Sequence, residues 1–156
     1  MDKRVKFIVQ AANIAAIYAV LTIAFAPISS GQIQVRISEA LTILPFFTPA
    51  AIPGLFVGCL IANVVAGIGP IDIIFGSLAT LLAAALTYLV RKYKFLVPFP
   101  PVVVNGIIVG LILNKVYGLP LLPSILWVAL GEVIACYGLG LPLLLSLKKY
   151  GHKIFK

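Results

Sequence analysis

The sequence predicts an all-α polytopic membrane protein with six transmembrane helices and both termini in the cytoplasm. Of its 156 residues, 62% are hydrophobic and 10% are charged, whereas a soluble domain carries about 25% charged residues. Residues 7–35 and 37–71 together contain one formally charged side chain, that of Glu39. A membrane-spanning helix needs about 20 apolar residues, and several such runs are present. A water-soluble globular fold is therefore excluded.

The basic residues predict the orientation. The net charge is +8, and most of the Lys and Arg residues lie in three short clusters between or outside the apolar runs. The clusters are Lys3, Arg4 and Lys6; Arg91, Lys92 and Lys94; and Lys148, Lys149, Lys153 and Lys156. Loops rich in Lys and Arg face the cytoplasm. The charge therefore reports membrane orientation, and nucleic acid is not expected as a partner.

The predicted helices follow from the apolar runs, the prolines and this charge pattern. Helix 1 ends before Pro27, and a polar loop follows over 28–35. Pro45, Pro49 and Pro53 interrupt the next apolar stretch, and only two crossings there keep all three basic clusters on one side. No soluble domain is expected, so residues 1–156 form a single integral membrane domain. The helices are predicted over about 5–26, 36–47, 54–66, 71–90, 102–117 and 124–147.

The sequence contains no pattern typical of an enzyme or a metal site. The glycine-rich run at 67–70 lacks the lysine that a phosphate-binding loop requires, so the chain is not expected to hydrolyse ATP. Cys59 and Cys136 lie inside apolar runs without a nearby histidine, which argues against a disulfide or a zinc site. No Ser/Lys, His-rich or paired-Asp arrangement has catalytic spacing. We expect no catalytic residue, metal or cofactor in this chain.

Acidic side chains inside the membrane are the main functional candidates, because each charged group costs roughly 2.5–3.5 kcal/mol to insert. Three acids qualify, Glu39, Asp72 and Glu132, and the predicted topology places all three in the outer half of the membrane. Asp72 also fits a helix cap, because it follows Gly-Pro at a helix start. Glu132 is remote from a helix end and from water, which makes a functional role the better interpretation.

Polar and aromatic side chains at similar depth complete a predicted outer pocket: Arg36, Asn63, Asn114 and Trp127. Arg36 shares a helix face with Glu39, so the two can form an ion pair. Trp127 is either a stacking surface for a ligand or an interfacial anchor. Asn105 lies about 180° around helix 5 from Asn114, so both cannot face one pocket, and we favour Asn114. Such a pocket suits a small ligand with hydrogen-bond donors or a positive charge.

Small residues along helix 1 form a second candidate surface. Ala11, Ala15 and Ala19 recur at four-residue spacing. A strip of small side chains lets another helix approach closely. Because this strip begins at the cytoplasmic end of helix 1, we expect it to dock a separate subunit. A bulky residue at position 15 is then expected to abolish transport and to leave ligand binding intact.

Residues 36–80 resemble a known family. The run RISEALTILP over 36–45, followed by Pro49, Pro53-Gly54 and Gly58, and the segment DIIFGSLAT over 72–80 are similar to the QueT family of queuosine-precursor transporters. These are substrate-binding S components of energy-coupling factor (ECF) transporters. The resemblance covers nearly the whole chain, and its C-terminal third matches more in hydropathy than in motif.

The resemblance implies an S-component fold and an uptake function in the plasma membrane of a prokaryote. The chain would bind a scarce nutrient outside the cell and pass it inward with one transmembrane coupling subunit and two ATPases, so that the partners use the ATP. The implied ligand is a 7-deazaguanine such as 7-aminomethyl-7-deazaguanine, which has N–H donors and a cationic amine. We expect Glu39 and Glu132 to bind these groups, with Asn63 and Asn114 as polar contacts and Trp127 stacked on the ring.

A different class of transporter also fits the residues. In this second interpretation the chain is an autonomous secondary transporter of a small cationic or nucleobase-like solute. Glu132 would then carry a coupled proton across the membrane. The two hypotheses differ in whether the chain alone, under a pH gradient, moves its solute into liposomes.

Overall fold

Within residues 2–29 and 35–150, which the computed structural model describes, every regular element is helical. Six longer helices correspond in order to the six predicted ones, and a single helical turn at Ala26–Ser29 follows the first of them. The predicted loop over 28–35 falls largely outside the described residues. The elements are α1 Lys3–Ala24, α2 Ile37–Phe46, α3 Ala51–Val65, α4 Asp72–Leu89, α5 Phe99–Tyr117 and α6 Leu121–Tyr150.

Four of these helices are long and apolar enough to cross a membrane, namely α1, α4, α5 and α6. The other two are apolar but shorter, with 10 residues in α2 and 15 in α3. The all-helical membrane architecture is thus confirmed for the described residues. The count of six crossings and the orientation of the termini stay predictions.

Three helices depart from regular α geometry. The whole of α2 is a 3-10 helix that includes Pro45, a tighter coil with a rise of about 2.0 Å per residue. The first turn of α4 is a π-helix over Asp72–Gly76. A longer π-helix at Val133–Gly140 interrupts α6, in the glycine-rich part of that helix. Such wide turns occur frequently at functional sites, and both lie beside the polar cavity described below.

Glycines allow the helices to approach each other closely. A Cβ atom on Gly58 of α3 would lie 2.7 Å from the carbonyl oxygen of Ala15 and 2.9 Å from Cβ of Tyr18. One on Gly110 of α5 would lie 2.5 Å from the Ile125 side chain of α6. Both distances are too short for any side chain. The pairs α1–α3 and α5–α6 are therefore in backbone contact, as small residues permit between membrane helices.

The core and the outer face are both apolar. Tyr18, Ile43, Leu55 and Leu144 are completely buried where α1, α2, α3 and α6 pack together. On the outside, large apolar side chains such as those of α1 and α4 are exposed along the helices. Extended exposed apolar surface is rare in soluble monomers, whereas it is the expected surface of a protein in contact with lipid tails.

Candidate functional site

A small polar cavity lies where α2, α4, α5 and α6 meet. Its side chains come from four elements that are far apart in the sequence, and it includes two of the three membrane acids. Gly76 belongs to the π-helical turn of α4, and Glu132 is the last residue before the π-helix of α6. The lining residues are Arg36, Glu39, Gly76, Thr80, Asn105, Val109, Val128 and Glu132.

One asparagine joins the two glutamates. Nδ2 of Asn105 donates a hydrogen bond to Oε1 of Glu132 at 3.0 Å and another to Oε2 of Glu39 at 3.3 Å. All three side chains are at most 5% exposed. Because both oxygens bind the same nitrogen atom, the two carboxyl groups are held close together. This triad of Glu39, Asn105 and Glu132 is the chemical centre of the candidate site.

The remaining carboxyl oxygens also have partners. The hydroxyl of Tyr18, on α1, donates to Oε1 of Glu39. The thiol of Cys136 lies 3.5 Å from Oε2 of Glu132, and a thiol is a weak donor. Oε2 of Glu132 is therefore the carboxyl oxygen that a ligand can bind with the smallest loss of existing hydrogen bonding. Every buried polar side-chain atom in the described part of the chain has a hydrogen-bond partner.

Asn105, and not Asn114, belongs to this site, which corrects the preference drawn from the sequence. Nδ2 of Asn114 donates to the carbonyl oxygen of Leu119 at 2.7 Å and closes the C-terminal end of α5. The two asparagines do point in different directions, as the helical spacing requires, but their depths decide the outcome. Asn105 lies twelve residues before Tyr117, the last residue of α5, and Glu132 lies eleven residues after Leu121, the first of α6. Antiparallel helices joined by a short turn bring such positions level.

Asp72 and Asn63 lie outside the cavity. Oδ2 of Asp72 accepts a hydrogen bond of 3.2 Å from the exposed Tyr117 hydroxyl, so this acid links the start of α4 to the end of α5. Asn63 is buried behind Gly76, where its Nδ2 donates to Ser77 Oγ at 3.4 Å. Its amide therefore supports the α3–α4 contact, and Asn63 is not among the residues that line the cavity.

Arg36 and Trp127 have different positions relative to the cavity. Arg36 lines it together with Glu39, which brings a guanidinium to the same small space as the two carboxyl groups. From α6, Val128 lines the cavity, while the half-buried Trp127 is not among the lining residues. The expected stacking of a ligand on Trp127 stays a prediction, and it requires the site to change shape.

The proposed docking strip on α1 is largely occupied inside the chain. Ala15 and Ala19 are 5% and 7% exposed, and Ala15 packs against Gly58 of α3. Ala12 and Ala16 are exposed on a different face of this helix. Docking of a partner on α1 stays a prediction. The accessible Ala12 and Ala16 each lie one position after the predicted Ala11 and Ala15.

The cavity is nearly closed. Its volume is about 10 Å³, close to the minimum of roughly 10–15 Å³ that one water molecule needs. A much larger groove of about 870 Å³ lies between α4 and α5, but it is lined by apolar side chains and by Lys115. That groove suits hydrocarbon. Of these two spaces, the small cavity is the one lined by carboxyl and amide acceptor groups that a polar ligand needs, and it must widen to admit one.

Residues 2–29 and 35–150 contain no cluster of three or more His, Cys, Asp or Glu side chains that could hold a metal ion. The chemistry available at the cavity is therefore that of carboxyl, amide, hydroxyl and guanidinium groups. These groups bind polar or charged ligands through hydrogen bonds and ion pairs.

The sequence is similar to known transport proteins. A family model described as QueT transporter matches residues 8–149. The protein named Queuosine precursor transporter QueT from Lactococcus lactis subsp. cremoris (strain MG1363) is 38% identical over 81 residues, which make up 51% of this chain and 47% of that protein. The alignment thus spans about half the length of this relative. No solved structure matches the chain significantly.

Proposed function

The chain belongs to the QueT transporter family, and we propose its function from that membership. It is accordingly a multi-pass membrane transport protein. Its proposed role is that of the substrate-binding S component of an ECF-type importer in a prokaryotic plasma membrane. The proposed substrate is a queuosine precursor such as 7-aminomethyl-7-deazaguanine. The observation that carries this proposal is the pair of buried glutamates bridged by Asn105 in a cavity among α2, α4, α5 and α6.

The chemistry of the cavity supports this ligand class. The pyrimidinone edge of a deazaguanine offers adjacent N–H donors, which pair well with one carboxylate, and its aminomethyl group is a cation near neutral pH. Glu39 and Glu132 provide two carboxyl groups in one small space. Charge-assisted hydrogen bonds of this kind are about twice as strong as neutral ones. The amide of Asn105 can reorient to donate to a ring carbonyl.

Ligand entry requires α2, α5 and α6 to separate, because the closed cavity holds about one water molecule. In this proposal α2 is the element that moves, because it is the shortest of the six helices and carries Glu39; it packs on the bundle through apolar residues such as Ile43 and through polar contacts. Tyr18 binds Glu39 from α1, and Thr22 Oγ1 donates to Ser38 Oγ at 2.7 Å. In this proposal, ligand contacts replace part of this network when the site opens.

An ECF-type mechanism also needs partners, which we propose to be a transmembrane coupling subunit and two ATPases. In this proposal the outer face of α1 is the docking surface, with Ala12 and Ala16 as its small residues because they are exposed. The opposite face of the same helix carries Tyr18, which contacts the site. One helix thus connects the proposed docking surface with the proposed ligand site, and ATP is used by the partners.

The direct test is calorimetric titration of the purified full-length chain in detergent with 7-aminomethyl-7-deazaguanine. Riboflavin and guanine are the comparison ligands. We expect one-to-one binding that Glu132→Gln weakens and that Asp2→Asn, which removes a carboxylate at the exposed start of α1, leaves unchanged. Absence of binding to a folded sample would contradict the proposed ligand. Uptake into liposomes by the chain alone, driven by a pH gradient, would instead support an autonomous secondary transporter.

A further inference from the structure

The charges around the triad do not balance. Two carboxyl groups lie within hydrogen-bond distance of one amide nitrogen, with Glu39 1% and Glu132 5% exposed. Two ionised carboxylates this close in a buried site repel each other strongly, so such pairs share a proton unless cations compensate both charges. The neighbouring charges therefore decide which state the site adopts.

Among the residues that the structure describes, the groups around the pair include one cation. Arg36 lines the cavity beside Glu39. The other groups that contact the pair are the Tyr18 hydroxyl from α1, the Asn105 amide from α5 and the Cys136 thiol from α6, none of which carries a positive charge. Thr80 of α4 also lines the cavity, and its hydroxyl donates to the carbonyl oxygen of Gly76. One guanidinium against two carboxylates leaves a single excess negative charge. The empty site thus needs one more positive charge.

The position of that missing charge is defined by the hydrogen bonds. Glu39 receives two donors, from Tyr18 and Asn105. Glu132 receives one amide hydrogen bond and one contact from a weak thiol donor. Glu132 is therefore the poorer site for an ionised carboxylate, and it is the carboxyl group that gains most from a proton or from an added cation.

We infer that the site selects a monocation, whose positive charge takes the place of a proton that the Glu39–Glu132 pair holds when the site is empty. This inference rests on the proposed function and deepens it, because it states which charge the substrate must have. Binding is then an exchange: the carboxyl group of Glu132 releases its proton to solvent, and the ligand ammonium pairs with the carboxylate. A neutral ligand of the same shape leaves the proton in place.

The experiment compares two ligands that differ in this charge. The full-length chain in detergent is titrated calorimetrically with 7-aminomethyl-7-deazaguanine and with its uncharged 7-cyano analogue, each in phosphate and in Tris, whose ionisation enthalpies differ. We expect release of about one proton per cation bound, none for the nitrile, and a preference of about tenfold or more for the cation. Acidification is expected to weaken binding of the cation only.

Variants assign the effect to the pair. Glu132→Gln imitates the protonated acid, so it is expected to abolish proton release and the preference for the cation, and to retain binding of the nitrile, which also shows that the variant is folded. Asp2→Asn serves as the control for loss of a carboxylate elsewhere.

The outcomes separate the two proposals. Equal affinity for both ligands, without proton release in the wild-type chain, overturns this inference and leaves the proposed function standing. Proton uptake on binding of the cation likewise overturns it. Binding of neither ligand to the folded wild-type chain contradicts the proposed function itself, and with it the inference.

Discussion

At the scale of single residues, Asn105 decides how the site is built. It is the direct donor between two buried carboxyl groups, with distances of 3.0 and 3.3 Å. Removing a donor from buried acceptors costs about 1–3 kcal/mol, and more for charged groups. The sequence alone identified Glu39 and Glu132 as candidates, because a membrane acid is costly wherever it lies. It did not identify their common partner, because an uncharged asparagine costs less free energy to place in a membrane helix than an acid and therefore does not by itself indicate a site.

We predict that Asn105→Ala lowers both stability and ligand affinity. The substitution leaves two buried carboxyl oxygens without their donor, so we expect a loss of about 1–3 kcal/mol in unfolding free energy and a clear loss of ligand affinity. Thermal unfolding in detergent and calorimetric titration measure the two effects. Asn114→Ala is the comparison: it removes the hydrogen bond to Leu119 at the end of α5 and is expected to lower stability by about 1 kcal/mol without changing affinity. If Asn114→Ala lowered ligand affinity and Asn105→Ala did not, Asn114 would be the asparagine that belongs to the ligand site.

Tyr18→Phe tests the contact between α1 and the site. Phenylalanine fills the same completely buried space and lacks the hydroxyl that donates to Glu39. We expect ligand affinity to change by a factor of about 5, because one hydrogen bond contributes about 1 kcal/mol. Tyr137→Phe is the matched control, since its hydroxyl binds the carbonyl oxygen of Phe95 outside the cavity. An identical response of the two variants would exclude a specific role for Tyr18.

At the scale of elements, glycines determine which helices pair. Gly54 and Gly58 place α3 against α1, and Gly110 places α5 against α6. Small residues are common where membrane helices pack together, but the sequence does not show which surface each glycine meets. The burial of Ala15 follows from this pairing, because Gly58 of α3 packs directly against it.

We predict that Gly58→Val destabilises the fold by about 1–3 kcal/mol, a typical cost of overpacking. Any Cβ at this position would lie 2.7 Å from the Ala15 carbonyl oxygen, so α1 and α3 would have to separate. Thermal unfolding in detergent measures the effect. Gly138→Ala is the control, because a Cβ there meets nothing within 4 Å. Equal stability of the two variants would contradict the close α1–α3 contact.

At the scale of the whole molecule, α1 has one face buried against the bundle and one face that is exposed. Its inner face carries Ala15, Tyr18 and Ala19 against the bundle, and its exposed face carries Ala12 and Ala16. The prediction that a bulky residue at position 15 spares ligand binding therefore needs revision. A large side chain there would clash with α3 and disturb the site through Tyr18.

We expect Ala16→Trp to prevent assembly with the coupling subunit and the ATPases and to leave ligand affinity unchanged, because position 16 is exposed. Co-purification of the complex reports assembly, and titration of the isolated chain reports binding. Leu122→Trp, at an exposed position on α6, controls for added bulk in contact with lipid. Normal assembly of the Ala16→Trp variant would show that docking uses another surface.

Sequence reasoning was sufficient for the all-helical membrane class, the order and approximate bounds of the helices, and the family, and it proposed Glu39 and Glu132 as candidate site residues. These depend on local properties of the chain: apolar length, proline positions, charge clusters, motif, and the cost of a carboxyl group in a membrane. The helix packing was needed to show that Asn105 joins Glu39 to Glu132 and that Asp72 and Asn63 lie outside the cavity. Those facts depend on the rotation and relative depth of packed helices, which are set by contacts between residues far apart in the sequence.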